Sequence, residues 1–252
     1  MKQPFTKSSP SKCFYTLVFT LILGAYCSLS AQVADLSDVG AAKKAFKPSF
    51  NSGAAELIFK EGSIVYTVEE PSEKDFQYLH FQPARLRASQ DFTITGTFKN
   101  DAIAESSKEL ASVGIEVYQA TDLSNRVAAT LSVARLEGFF SRTVFSQVVE
   151  GGEAVDSAYT ADLRLPIEVT FKMVFDSKEK VFSVYYDADE DEAVVWELVG
   201  TFGVAGKGGE DGNANWRMKS TEKFLVYIYG YSENLQVFEG DVEATALSVE
   251  IN

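Results

Sequence analysis

Only two cysteines occur in this chain, Cys13 and Cys27, and both stand within its first 31 residues. Lys2, Lys7 and Lys12 precede an apolar run from Cys13 to Ala25, and the small residues of Ser28-Leu-Ser-Ala31 follow it. These are the three parts of a secretory signal, with cleavage expected near Ser30 or Ala31. The apolar run is shorter than the roughly 20 residues that span a bilayer. Tyr26 stands before Cys27 where a lipoprotein signal would carry small residues. Residues 1–31 are therefore read as a leader, and the mature chain as a secreted or extracytoplasmic protein with no disulfide and no thiol nucleophile.

Other absences narrow the chemistry. Histidine occurs once, at His80, so a zinc site of the usual kind would need carboxylates for its remaining ligands. No Gly-x-Ser-x-Gly elbow occurs, and Gly206-Lys-Gly-Gly209 lacks the spacing and the hydroxyl residue of a phosphate-binding loop. No second apolar stretch approaches membrane-spanning length. Basic residues are scarce: without Lys2, Lys7 and Lys12, the 23 fall to 20 against 36 acids, a net charge of −16. Such a charge repels nucleic acid phosphates and anionic membranes, which excludes both as expected partners of the mature form. No repeat of fixed period points to a propeller or solenoid. From residue 55 onward no sustained helical spacing occurs, apart from one candidate turn at 101 to 110.

What remains is strand pattern. Phe92, Ile94, Gly96 and Phe98 alternate with Thr93, Thr95 and Thr97, and Leu165, Ile167, Val169, Phe171, Met173 and Phe175 alternate with polar residues. Similar runs at 62–69, 76–81, 112–119, 126–134, 139–145, 180–187, 194–202, 223–231 and 237–251 are separated by Asp, Asn, Gly and Ser. The pattern predicts an all-β, two-sheet antiparallel jelly roll sandwich in one domain, residues 55–252, after a lead-in segment at 32–54. About 220 mature residues suit a single sandwich of this kind.

The long strands, the segment Val181-Phe-Ser-Val-Tyr-Tyr-Asp-Ala-Asp189 leading to Val195-Trp-Glu-Leu198, and the closing strand after Phe238-Glu-Gly240 resemble the concanavalin A-like lectin and glucanase superfamily, including laminin G-like jelly rolls. The resemblance covers roughly residues 50–252. It implies a sheet face that contacts carbohydrate and does not imply catalysis.

Three clusters are candidate sites. In the strand near 224–231, Phe224, Val226 and Ile228 alternate with Tyr227, Tyr229 and Tyr231. With the even set in the core, three phenols line the other face about 7 Å apart, and Trp216 would complete a stacking platform at the rim. Asp187, Asp189 and Asp191 offer oxygens at alternate positions, as calcium takes them, although a solvated hairpin turn is the commoner meaning of such a run. The Glu-x-Asp-x-x-Glu run of a glucanase is absent; Glu239, Asp241 and Glu243 fall two apart and would share a strand face, but a solvated edge or loop explains them too. His80 reads as structural. The functional expectation is a non-catalytic, lectin-like module for an extracellular glycan, needing no cofactor beyond this calcium candidate. The alternatives are a structural or adhesive exoprotein with a protein partner, and a glycoside hydrolase or polysaccharide lyase.

Overall fold

The computed structural model describes residues 31–136, 139–162, 165–188, 194–206 and 212–252. Ala31–Asn252 forms one compact unit. Its elements are β1 (Gln32–Val33), α1 (Val39–Ala45), β2 (Phe46–Ser52), β3 (Ala55–Lys60), β4 (Ser63–Val68), β5 (Lys74–Phe81), β6 (Leu86–Arg87), β7 (Phe92–Asn100), β8 (Leu110–Gln119) and β9 (Asp122–Leu136). There follow β10 (Phe139–Glu150), β11 (Glu153–Asp162), β12 (Glu168–Asp176), β13 (Val181–Asp187), β14 (Glu197–Gly203), β15 (Gly212–Asn213), β16 (Lys223–Glu233) and β17 (Val242–Ile251). One sheet runs β15-β14-β13-β12-β7-β17-β4-β3 with β1 beside β17, and the other runs β11-β10-β9-β8-β16-β5-β2 with β6 beside β16. All pairings are antiparallel except the short β14–β15 contact.

Alternation dictates this arrangement. Strand β7 buries every second residue, and β12 does the same with Val169, Phe171, Met173 and Phe175. Their inward side chains meet those of the opposite sheet in one core. Phe175 lies 5.0 Å from Phe92 on its own sheet and 5.0 Å from Phe224 on the other. Each large apolar side chain so buried contributes roughly 1.5–3 kcal/mol, enough collectively to replace a disulfide. In β17 a bulge between Ala244 and Ala246 shifts the parity, so Val242 and Ala244 face inward before it, and Leu247 and Val249 after it. Close packing between sheets also fixes Gly230: a Cβ there would come within 2.1 Å of the Tyr66 ring.

Two expectations are corrected. Residues 32–54 are part of the sandwich, since β1 pairs with β17, β2 pairs with β5, and Phe46 and Ala42 are fully buried. The helix among them starts at Asp38, whose Oδ1 accepts from the Gly40 and Ala41 amides. Residues 101–109, expected to hold a helical turn, are irregular, because Glu109 turns its carboxylate onto the Glu105 and Ser106 amides instead.

Candidate functional site on the eight-stranded sheet

Strand β16 sends Phe224, Val226 and Ile228 into the core and Tyr227, Tyr229 and Tyr231 to the outward face. Pairing registers then define rows across that face. One row runs Lys47, His80, Tyr227, Glu116, Ala128, Gln147, Ser157 from β2 to β11. The next runs Tyr78, Tyr229, Gly114, Thr130, Phe145, Tyr159 from β5 to β11.

Gly114 shapes the second row. It carries no side chain between Tyr229 and Thr130, and Tyr229 reaches across it to share a 2.5 Å hydrogen bond with Thr130 Oγ1. A Cβ at Gly114 would strike the Ala129 carbonyl at 2.1 Å. Tyr78 stacks on Tyr229 at 5.1 Å and 12°, and Phe50 stands over Tyr227 and Tyr78, 5.8 Å from each.

Beside these rings lies a buried charge. Glu116, 3% exposed, takes a 3.3 Å bond from Arg126 Nε and a 2.5 Å bond from the Tyr118 hydroxyl. Burial pushes its carboxyl pKa upward, while Arg126 and the phenols of Tyr118 and Tyr78 pull it back. Burial works against the Arg126 charge, but the Glu116 carboxylate beside it holds its pKa above the ordinary value. Burial also raises the hydroxyls of Tyr78, Tyr118 and Tyr229, which therefore stay protonated at neutral pH.

Two cavities open on this face. One, of about 280 Å³, is lined by Tyr78, Tyr229, Tyr231, Arg126, Phe145 and Gln147 among others, and its only carboxylate among the described residues is Glu116. The other, of about 310 Å³, lies among Phe50, Phe76, Tyr78, Tyr118, Leu123 and Arg126. They share Tyr78 and Arg126, so together they form a groove with aromatic and hydroxyl-bearing walls and a guanidinium between.

No protein-family model matches the sequence, and no curated protein matches it. Solved structures do match in shape. Lectin I-B4 from Griffonia simplicifolia, in its metal-free form, gives a TM-score of 0.58 at 10% identity, covering 88% of this chain and 99% of that one. The CBM2 module of the evolved Dit of Lactobacillus casei BL23 phage J-1 gives 0.55 at 8% identity, covering 89% and 97%. The carbohydrate recognition domain of Emp46p, in its potassium-bound form, gives 0.53 at 10% identity, covering 86% and 95%. The fold is a concanavalin A-like jelly roll. At these identities the likeness is one of backbone.

Within this jelly roll the expected site residues separate. Tyr227, Tyr229 and Tyr231 share the outward face, but Tyr227 and Tyr229 are only 4% and 6% exposed. They do not form the bare platform that strand alternation suggests, because Tyr78 and Tyr118 on the flanking strands β5 and β8, and Phe50 on β2, pack against them. Trp216 is not at the rim. It is 3% exposed, packs on Phe182 and Phe224, and donates its indole N–H to the Val149 carbonyl at 3.0 Å. Asp187 ends β13, whereas Asp189 and Asp191 lie outside the described residues. Among the described residues no three acidic, histidine or cysteine side chains are placed so that they could hold a metal ion together. Asp241 and Glu243 face Lys99 Nζ at 3.0 and 3.6 Å on the solvent side of the nine-stranded sheet. The lining residues Phe50, Phe145 and Gln147 escape sequence reasoning because they come from two strands, β2 and β10, that lie far from β16 in the chain. Their only local signal is period-two alternation.

Proposed function

We propose that the mature chain is a secreted, non-catalytic carbohydrate-binding protein whose ligand lies along the groove on the outward face of the eight-stranded sheet. The observation that carries this reading is the pair of adjoining cavities meeting at Tyr78 and Arg126. Sugar rings offer apolar C–H faces and hydroxyl edges; aromatic rings match the first, and Arg126, Gln147 and Ser132 match the second. The row Tyr78, Tyr229, Thr130, Phe145, Tyr159 crosses six strands, a span of about 24 Å at the usual strand spacing. A polymer would therefore lie across the strands rather than along β16.

Two features support binding over turnover. Glycoside hydrolysis ordinarily needs two carboxyls about 5–10 Å apart, and the groove holds Glu116 as its single described carboxylate. The phenols, held protonated by burial, serve as hydrogen-bond donors and acceptors rather than bases. The carbohydrate-binding neighbours of the same fold support the ligand class.

A glycan array run with residues 32–252, once in calcium and once in chelator, tests the reading. Retention of a defined glycan class, without product release, is the expected result. Retention lost in chelator would show that calcium takes part in binding. An array with no retained glycan in either condition, or release of shortened product, would overturn the proposal.

A further inference from the structure

A third cavity, of about 140 Å³, opens where β5 gives way to β6. The register pairs Tyr227 with His80 and then Phe224 with Leu86, so Leu225 and Val226 have no ladder partner on that side of β16. The chain detours through Gln82, Pro83, Ala84 and Arg85, and the detour leaves the space open. His80, Arg85, Arg87 and Lys223 line it. Lys47, opposite His80 in the pairing with β2, adds a fifth basic residue beside them.

This cluster stands out in a chain with a net charge of −13. Arg85, Arg87, Lys223 and Lys47 are exposed, and none of them is ion-paired among the described residues. The nearest acid in sequence, Glu222, is occupied elsewhere: its carboxylate accepts from the Thr121 amide and hydroxyl and from Gln119 Nε2. Paired guanidiniums are suited to carboxylate or sulfate oxygens. Ring contacts lead from this pocket toward the groove, where Tyr118 is a lining residue. His80 stacks on Tyr227 at 5.1 Å, and Tyr227 touches the ring of Tyr118. His80 sits two strands, about 10 Å, from Glu116.

We infer that this pocket is an anion-binding subsite, and that the glycan bound in the groove carries carboxylate or sulfate groups that seat against Arg85, Arg87 and Lys223. The inference rests on the carbohydrate-binding reading and names its ligand class.

Titration calorimetry at 150 mM NaCl would compare polygalacturonate, dextran sulfate and uncharged dextran. The wild-type protein would be set against Arg85→Gln/Arg87→Gln and against a charge-matched control, Lys60→Gln/Lys178→Gln. All four substituted residues are exposed, and thermal unfolding would confirm that both variants fold. The inference expects binding of an anionic polymer, with polygalacturonate and dextran sulfate deciding between carboxylate and sulfate, and a tenfold or greater loss in the arginine variant alone. Equal affinity in the arginine variant, or equal loss in the control, would overturn it. Tight binding of an uncharged glycan only would overturn the anionic subsite and leave the groove reading standing. No binding of any glycan would overturn both.

Discussion

Tyr78 and Tyr229, from neighbouring strands β5 and β16, stack with centroids 5.1 Å apart and planes 12° from parallel. Tyr229 is thereby clamped between that ring and Thr130, to whose hydroxyl its own is bonded. The phenol that strand alternation offers as a ligand platform is thus a structural layer beneath the groove. Tyr229→Ala should destabilise the fold by about 3 kcal/mol, as for other buried aromatic truncations. Tyr229→Phe should lose only about 1 kcal/mol, the ordinary worth of one hydrogen bond. Urea unfolding of the two variants checks the ratio; equal small losses would show that the ring is not buried in solution.

Trp216 is assigned to the core. Trp216→Phe should lower stability by about 1–3 kcal/mol, through lost volume and an unpaired Val149 carbonyl, while leaving glycan affinity unchanged. Thermal unfolding beside calorimetry separates the two effects. A variant of wild-type stability that fails to bind would return Trp216 to the ligand site.

Arg126→Ala should remove about 2–4 kcal/mol by leaving the Glu116 carboxylate buried without its partner. The estimate is tempered because 24% of the Arg126 side chain reaches solvent. Without the guanidinium the raised Glu116 pKa rises further. A group with a raised folded pKa contributes stability below its unfolded value, and that contribution is lost as pH climbs through the folded value. The deficit of the variant should therefore shrink as the pH is lowered toward the ordinary carboxylate range. A deficit that grows on acidification would contradict the assignment.

His80 has its pKa lowered by burial first, then by Arg85 and Lys47. The charged and titratable groups around it are Lys47 on β2, Arg85 just before β6, Arg87 in β6, and Lys223 and Tyr227 on β16. Its folded pKa lies below the unfolded one, so its contribution to stability is present above about pH 6.5 and is lost as the pH falls toward the folded value. His80→Asn should flatten the stability profile below pH 6.5. An unchanged slope would show that His80 titrates as a free imidazole.

The sandwich is legible in the sequence wherever one face of a strand is buried. The alternation of Phe92 to Phe98 and of Val169 to Phe175 names both the strand and its inward residues. Legibility fades at β11, where Val155 and Tyr159 are exposed and no apolar face marks the strand. It also fades in residues 32–54, whose Ala, Gly and Pro content resembles a linker until β5 and β17 offer their edges. The outward aromatic row is legible as a row. Its roof is not, because Phe50 sits some 180 positions before Tyr227 and meets it only through the β2–β5–β16 order. The basic pocket is hidden by the acidic total; Arg85-Leu-Arg87 is its sole local trace.

The central claim is that glycan binds the outward face of the eight-stranded sheet. The opposite sheet offers a competing aromatic surface, where Lys172 Nζ stands 4.4 Å from the Trp196 ring and 5.0 Å from Tyr185. Affinity electrophoresis in gels containing the best glycan from the array would compare Phe50→Ala/Tyr159→Ala with Trp196→Ala. Both outward-face residues are exposed, at 37% and 71%, so the double variant should remain folded. The account predicts that Phe50→Ala/Tyr159→Ala loses retardation by about tenfold in affinity, near 1.4 kcal/mol, and that Trp196→Ala migrates as the wild type does. Retardation kept by the first variant and lost by the second would contradict it.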